Sequence, residues 1–272
     1  MICGYKEILK DWMPPAMLRV LRGMGGAVTW SGDYASWAAA REASTGYDSA
    51  EILERVKSSL LKVASGAAAY ERDSVLFREV QYSWPLLAAL MWIAAQNRGE
   101  LGVLDFGGSL GTTYFQNRRF LTTLAKVQWS IVEQERFVEA GKRHFEDGIV
   151  RFYYDIEGCL KDRGPNTILF SSVIQYLDNA YDLLERVTRP GFEYIVFDRT
   201  PFVPGPRDRL TVQRVSRKIY RASYPCRFFA KERFRALLQG EFEIVAEFES
   251  SDRANIPSSF EGLILKRRQR GS

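Results

Sequence analysis

Val103-Leu104-Asp105-Phe106-Gly107-Gly108-Ser109-Leu110-Gly111 is the stretch that decides how this chain is read. A short apolar run ends in an acid, three glycines follow, and Thr112 to Lys126 can continue as a helix. Strand, tight turn and helix start are therefore expected in that order. Glycine lacks a Cβ, so the turn can take left-handed φ values and a ligand can approach its main-chain N–H groups. A dinucleotide-binding turn reads G-x-G-x-x-G. Aligning its last two glycines on Gly108 and Gly111 puts Phe106 where the first should be, so that reading fails at one of three fixed points. A purely structural turn stays open beside a cofactor site.

The next apolar run, Val127 to Glu133, ends in an acid 22 positions past Gly111. A carboxylate at that strand end accepts hydrogen bonds from a ribose diol; the bland alternative is a solvent-exposed strand end. A first strand that ends in an acid before a glycine-rich turn is also the arrangement of the S-adenosylmethionine-dependent methyltransferases. Asp105 would there order the loop or reach the cofactor's amino group. The cofactor-binding set on this reading is Asp105, Gly107, Gly108, Ser109, Gly111, Glu133 and Gln134.

Four phrases extend the comparison: Trp30-Ser31-Gly32-Asp33-Tyr34, Gln81-Tyr82-Ser83-Trp84-Pro85, Leu104 to Gly111, and Ser223-Tyr224-Pro225-Cys226. With them the chain resembles, from about Trp30 to Lys266, a bacterial family of class I methyltransferases often associated with surface-polysaccharide gene clusters. The resemblance implies a Rossmann-like α/β fold, with a mostly parallel seven-stranded sheet and an antiparallel edge. It implies S-adenosylmethionine as cofactor, S-adenosylhomocysteine as product, and O-methylation of a sugar or other anionic glycan-related acceptor in polysaccharide biosynthesis. Helices before the first strand form a lid in related folds, which makes Tyr70 and Arg72 candidates for the methionine carboxylate, beside plainer roles in packing and ion pairing. By the same resemblance Asp155 and Ile156, at the exit of a third strand, face the adenine. A fourth strand, Thr167 to Ser171, runs into the crevice at the carboxyl ends of the sheet. Ser172 is assigned there to the cofactor, and Gln175 and Tyr176 to the acceptor.

Composition agrees with a folded protein: 46% hydrophobic and 26% charged residues in 272, enough for one large core. The division expected is an N-terminal arm and helical lid over 1–98 and the methyltransferase domain over 99–272. No apolar run approaches the roughly 20 residues needed to cross a bilayer, and the N-terminus has no secretory h-region. Cys3, Cys159 and Cys226 are odd in number and form no C-x-x-C pair, which disfavours a zinc site or disulfide framework and points to the cytoplasm. Pro15 to Arg22 reads as a short amphipathic helix within residues 1–28, docked on the core, on a second subunit of a homodimer, or peripherally on a membrane. Tyr34 to Gln96 reads as helical, with segments Ala50 to Ala64 and Trp84 to Ala95.

A fifth strand, Glu193 to Asp198, leads into a basic stretch. Arg199 to Arg235 holds eleven Lys or Arg against Asp208 and Glu232, a charge of +9 in a chain of +5, so the remainder sums to −4. As an insertion over 199–240, before the closing strands Phe242 to Phe248 and Gly262 to Lys266, it reads as a cap. It would hold an anionic acceptor through Arg217, Arg221 and Tyr224, or form a solvated basic face. Basic-aromatic stretches also bind single strands, though nucleic acid is not the expected partner. Three residues are candidates for a base: His144, Asp178 and Asp198. His144 is the only histidine, so no histidine-rich metal site and no Ser-His-Asp triad forms without it. Two rivals stay open. A nicotinamide-dependent sugar-modifying oxidoreductase should show a proton-transfer pair such as Tyr-x-x-x-Lys, which does not occur; a binding protein of the same fold would not turn over.

Overall fold

The computed structural model describes residues 28–46, 49–64, 68, 70–72, 75–77, 79–189, 191–215 and 222–269. The segment 15–22 and residues Arg217 and Arg221 lie outside them. In chain order, β1 (Val28–Ser31) and α1 (Trp37–Glu42) precede α2 (Ser49–Ala64), a hairpin of β2 (Tyr70–Arg72) and β3 (Val75–Phe77), and α3 (Trp84–Gln96). Then come β4 (Glu100–Phe106), α4 (Thr112–Leu121), β5 (Lys126–Val132), α5 (Glu135–His144), β6 (Val150–Tyr153), α6 (Ile156–Asp162) and β7 (Thr167–Ser171). A single 3₁₀ turn, Ile174–Tyr176, leads to α7 (Ala180–Val187), β8 (Tyr194–Val203), β9 (Arg209–Val215), β10 (Ser223–Ala230), α8 (Lys231–Gln239), β11 (Phe242–Glu249) and β12 (Ser259–Arg267).

Strands β6, β5, β4, β7 and β8 are parallel neighbours in that order. On the far side of β8 lies β12, antiparallel to it, with β11 antiparallel beyond. These seven strands make the mostly parallel sheet with an antiparallel edge that the sequence led us to expect. The chain starts the sheet at β4, adds β5 and β6 to one side, then crosses to add β7 and β8 to the other. The switch point between β4 and β7 opens a crevice at their carboxyl ends.

Alternation along each buried strand explains the two cores. Val103, Leu169 and Val196 face one side with Leu60, Leu90 and Phe137 from α2, α3 and α5. Leu104, Ile168, Phe170, Ile195 and Phe197 face the other, with Leu184 and Phe234 from α7 and α8. Successive residues of one strand therefore serve opposite layers, and Val103, Leu104, Ile168 and Leu169 are all fully buried.

Two parts of the fold differ from the sequence-based expectation. Tyr70 and Arg72 fall on the β2–β3 hairpin, a two-stranded sheet, rather than in a helical lid; their side chains lie outside the description. The stretch expected as a cap is a continuation of the main sheet. Strand β8 is ten residues long and outruns β7, and its last two residues pair in parallel with Phe229 and Ala230 of β10. β9 pairs antiparallel with β10, and β1 closes this wing by pairing antiparallel with β9. Helix α1 packs on the wing through Trp37 and Ala40 against Leu210 and Val212. Residues 28–46 thus join the segments 209–215 and 222–230, far away in sequence, rather than the helices that follow them.

Candidate functional site

A cleft of about 1410 Å³ follows the carboxyl ends of β4, β5, β7 and β8 and continues onto the wing. The glycine turn forms its floor. Gly107 has φ +66° and Gly111, the N-cap of α4, has φ +98°. The Gly107 N–H donates to the Val132 carbonyl at 2.9 Å, tying the turn to the end of β5. Ser109, Ser172 and Arg199 also have positive φ. Among the described residues only one other non-glycine does, Arg98, and only that one lies away from the cleft. Strained backbone of this kind costs about 1–3 kcal/mol per residue and persists where the surroundings over-determine it, commonly at functional sites.

Asp105, the penultimate residue of β4, lies beneath this turn, 1% exposed. Its Oδ2 accepts from the Trp129 indole N–H at 3.1 Å, while Oδ1 has no hydrogen-bond partner. Burial pushes its pKa up to about 7, and the Trp129 hydrogen bond only partly opposes this. The carboxyl packs under Gly108, where a Cβ would lie 2.5 Å from the Asp105 Cγ. Asp105 packs under the loop and also lines the cleft, the positions that its two expected roles require. Glu133, half-buried just beyond β5, accepts from the Gln134 N–H at 2.7 Å, and the backbone N–H groups of Gln134 and Ser109 both favour its charged form. Burial raises its pKa, and those two backbone donors work against the rise. The two motifs read separately in the sequence are therefore joined by one hydrogen bond, from the Gly107 N–H of the turn to the Val132 carbonyl beside the strand-end acid.

Asp155 is the N-cap of α6, its Oδ1 accepting from the Gly158 N–H at 2.7 Å. It lines the cleft with Ile156, the first residue of that helix, whose N–H has no intrahelical acceptor. Ser172 also lines the cleft, on strained backbone held by its N–H bond to the Asp198 carbonyl at 2.9 Å. Gln175 is a correction: expected against the acceptor, it is 1% exposed and absent from the cleft lining. Its Nε2 donates to the Ser172 Oγ at 3.1 Å, so it supports Ser172 from behind. Tyr176 and Tyr224 both line the cleft.

The three candidate bases are dispersed. His144 is exposed at the last turn of α5, outside the cleft lining. Asp178 is also outside it, with a side chain 61% exposed and 3.9 Å from Arg41. Asp198 alone reaches the cleft. It is 2% exposed, its Oδ2 accepts from the Ser171 Oγ at 2.9 Å, and the same oxygen lies 3.4 Å from the Arg199 Nε.

The basic stretch is largely paired within the fold. Arg207 binds Asp33 at 2.6 Å, Lys231 binds Glu261 at 2.5 Å, Arg235 binds Glu247 at 3.1 Å, and Arg214 donates to the Ser31 Oγ at 2.9 Å. Of the described basic residues between 199 and 235, Arg199 alone lines the cleft. Sequence reading missed Trp30, Gln213 and Arg199 as cleft residues. Trp30 stood in a quoted phrase and Arg199 in the basic stretch, but neither was read as lining a cleft, and Gln213 showed only as a polar position in the alternating run Leu210-Thr211-Val212-Gln213. Among the described residues no cluster of His, Cys, Asp and Glu is arranged to hold a metal, and no helix is long and apolar enough to cross a membrane.

No protein-family model matches the chain, and no curated protein matches it in sequence. Among solved structures it is similar to magnesium protoporphyrin IX methyltransferase from Synechocystis PCC 6803 with bound SAM, at 15% identity over 97% of each chain and a TM-score of 0.44. It is also similar to the N-terminal domain of EvdMO1 in the presence of SAH and D-fucose, at 14% identity over 82% of this chain and 98% of that one, TM-score 0.48. A third is an S-adenosylmethionine-dependent methyltransferase from Clostridium acetobutylicum ATCC 824, at 11% identity over 69% and 92% of the two chains, TM-score 0.45. Strand order and direction, rather than these likenesses, define the Rossmann-like α/β fold of this chain.

Proposed function

We propose that this chain is an S-adenosylmethionine-dependent methyltransferase that methylates a hydroxyl oxygen of a small acceptor, a sugar in the surface-polysaccharide setting implied by the family resemblance. One observation carries the cofactor reading: the Glu133 carboxylate just beyond β5 accepts from the Gln134 N–H at 2.7 Å, beside a glycine turn that the Gly107 N–H ties to the Val132 carbonyl. A carboxylate so held fits a ribose diol, and the N-terminal end of α4, with Gly111 as its cap, fits an anionic group by its dipole. Asp155 and the Ile156 N–H fit the edge of a purine. When bound, the cofactor supplies an electrophilic methyl group on a sulfonium. The chain's own residues bind, orient and exclude water. Phe106 lines the cleft, and an aromatic face near a cation attracts it by about 0.5–2 kcal/mol. Asp198 is committed to Ser171 and Arg199, which makes it an anchor for that wall. The expected catalytic contribution is therefore positional, since well-oriented reactions reach effective molarities of about 10⁵–10⁸ M.

Calorimetric titration with S-adenosylhomocysteine, with NAD in parallel, tests this reading. Saturable binding of the first and silence from the second are expected. Glu133→Ala should weaken S-adenosylhomocysteine about 10- to 100-fold, the value of charge-assisted hydrogen bonds, with little change in thermal stability. Unchanged affinity in this variant would remove Glu133 from the site.

A further inference from the structure

The cleft's volume, about 1410 Å³, exceeds the roughly 300–1,000 Å³ of a single small-molecule pocket. One part is lined by the glycine turn and the ends of β4 and β5. The other part is lined by the wing, and its wall has a distinct construction. Gln213 on β9 is 5% exposed. Its Oε1 accepts from the Trp30 Nε1–H at 2.9 Å and from the Tyr176 hydroxyl at 3.0 Å. Its Nε2 donates to the Tyr224 hydroxyl at 3.1 Å. An indole N–H only donates, so Trp30 fixes which way the amide faces. One buried amide thus pins the polar tips of three aromatic side chains from β1, the 3₁₀ turn and β10. Tyr176 and Tyr224 meet edge to face at 5.4 Å and 85°.

We propose that this wing part, walled by Trp30, Tyr176, Gln213 and Tyr224, is the acceptor subsite and takes an uncharged, hydroxyl-bearing ring, a neutral glycoside, rather than an anionic one. The proposal rests on the methyltransferase reading for its role and on the wing for its chemistry. Pinned aromatic side chains present rigid apolar surface at little entropic cost, which suits the C–H faces of a sugar ring. Across the whole cleft lining four arginines, Arg41, Arg186, Arg199 and Arg253, stand against seven carboxylates, so it offers no excess of cations to an anion. Of the basic stretch, Arg199 lines the cleft paired with Asp198, while Arg207 is engaged with Asp33, Lys231 with Glu247 and Glu261, and Arg235 with Glu247.

Saturation-transfer NMR on the full chain tests it, using methyl glycosides of neutral hexoses, with D-glucuronate and D-glucose 1-phosphate in parallel. Transfer to ring protons of at least one neutral glycoside is expected, about fivefold or more above either anion, whose desolvation the wall does not offset. Gln213→Leu and Tyr224→Ala should each cut that transfer about tenfold and leave S-adenosylhomocysteine affinity within about twofold. Tyr224→Phe keeps the ring and should retain part of the signal; it decides the matter if Gln213→Leu does not fold. The subsite is overturned if S-adenosylhomocysteine binds and no neutral glycoside receives saturation, if the anions receive more, or if the variants leave transfer unchanged. Glycoside transfer without any S-adenosylhomocysteine binding would keep the subsite and remove the cofactor reading instead.

Discussion

Gly107→Val should cost the chain about 3–5 kcal/mol of stability and, with it, binding of S-adenosylhomocysteine. Two independent effects add at this position. The backbone sits at φ +66°, a left-handed conformation that costs roughly 1–2 kcal/mol for a residue with a Cβ and more for a β-branched one. A Cβ would also lie 2.3 Å from the Val173 Cγ2 and 3.0 Å from its Cβ. Val173 packs on the second core and follows Ser172, itself held at positive φ, so the collision is passed into the wall of the cleft. Overpacking of this kind adds about 1–3 kcal/mol. At about 2–4 °C per kcal/mol for a chain of this size, a fall of about 10 °C in Tm is expected. Gly148, where an added Cβ meets nothing within 4 Å, provides the control: Gly148→Ala should leave Tm and affinity alone. A Gly107→Val protein with the stability of the parent would show that the turn is not built as described.

The strand-turn-helix around Gly107 was legible because its signals are local. An apolar run, an acid, the glycines and the next acid fall within 31 residues, from Val103 to Glu133, and each follows from backbone chemistry that neighbours in sequence determine. The wing was illegible for the opposite reason. Trp30 and Gln213 are partners 183 residues apart, and nothing in either segment names the other. The basic stretch misled in the same way. Its charge was correctly counted, yet the acids that pair with it, Asp33, Glu247 and Glu261, lie outside the window over which the charge was summed. Local density of charge reports an exposed cationic surface only when the partners are also local. Ser172 and Arg199 show a further limit: positive φ at a non-glycine residue is imposed by tertiary structure and leaves no mark in composition.

Asp105 carries the second large effect, and it is one of pH. Its folded pKa is raised from 3.8 to about 7 by burial. Between those values the folded chain keeps a proton that the unfolded chain releases, so its contribution to stability is fully present below about pH 4 and is lost as pH rises to about 7. The loss is at most about 4 kcal/mol, at about 1.4 kcal/mol per pKa unit. Asp105→Asn removes the titration and keeps an oxygen able to accept from Trp129. Comparing the two proteins by chemical denaturation at pH 5 and pH 8, the wild type should lose stability relative to the variant by a few kcal/mol over that interval. Parallel curves would mean that Oδ1, without a partner here, is solvated in the protein and carries no penalty. A carboxylate that weakens the empty fold at neutral pH is retained only if it contributes elsewhere. The variant should therefore be the more stable protein at pH 8 and the poorer binder of S-adenosylhomocysteine, because the Asp105 carboxyl lines the cleft and packs under Gly108 of its glycine turn.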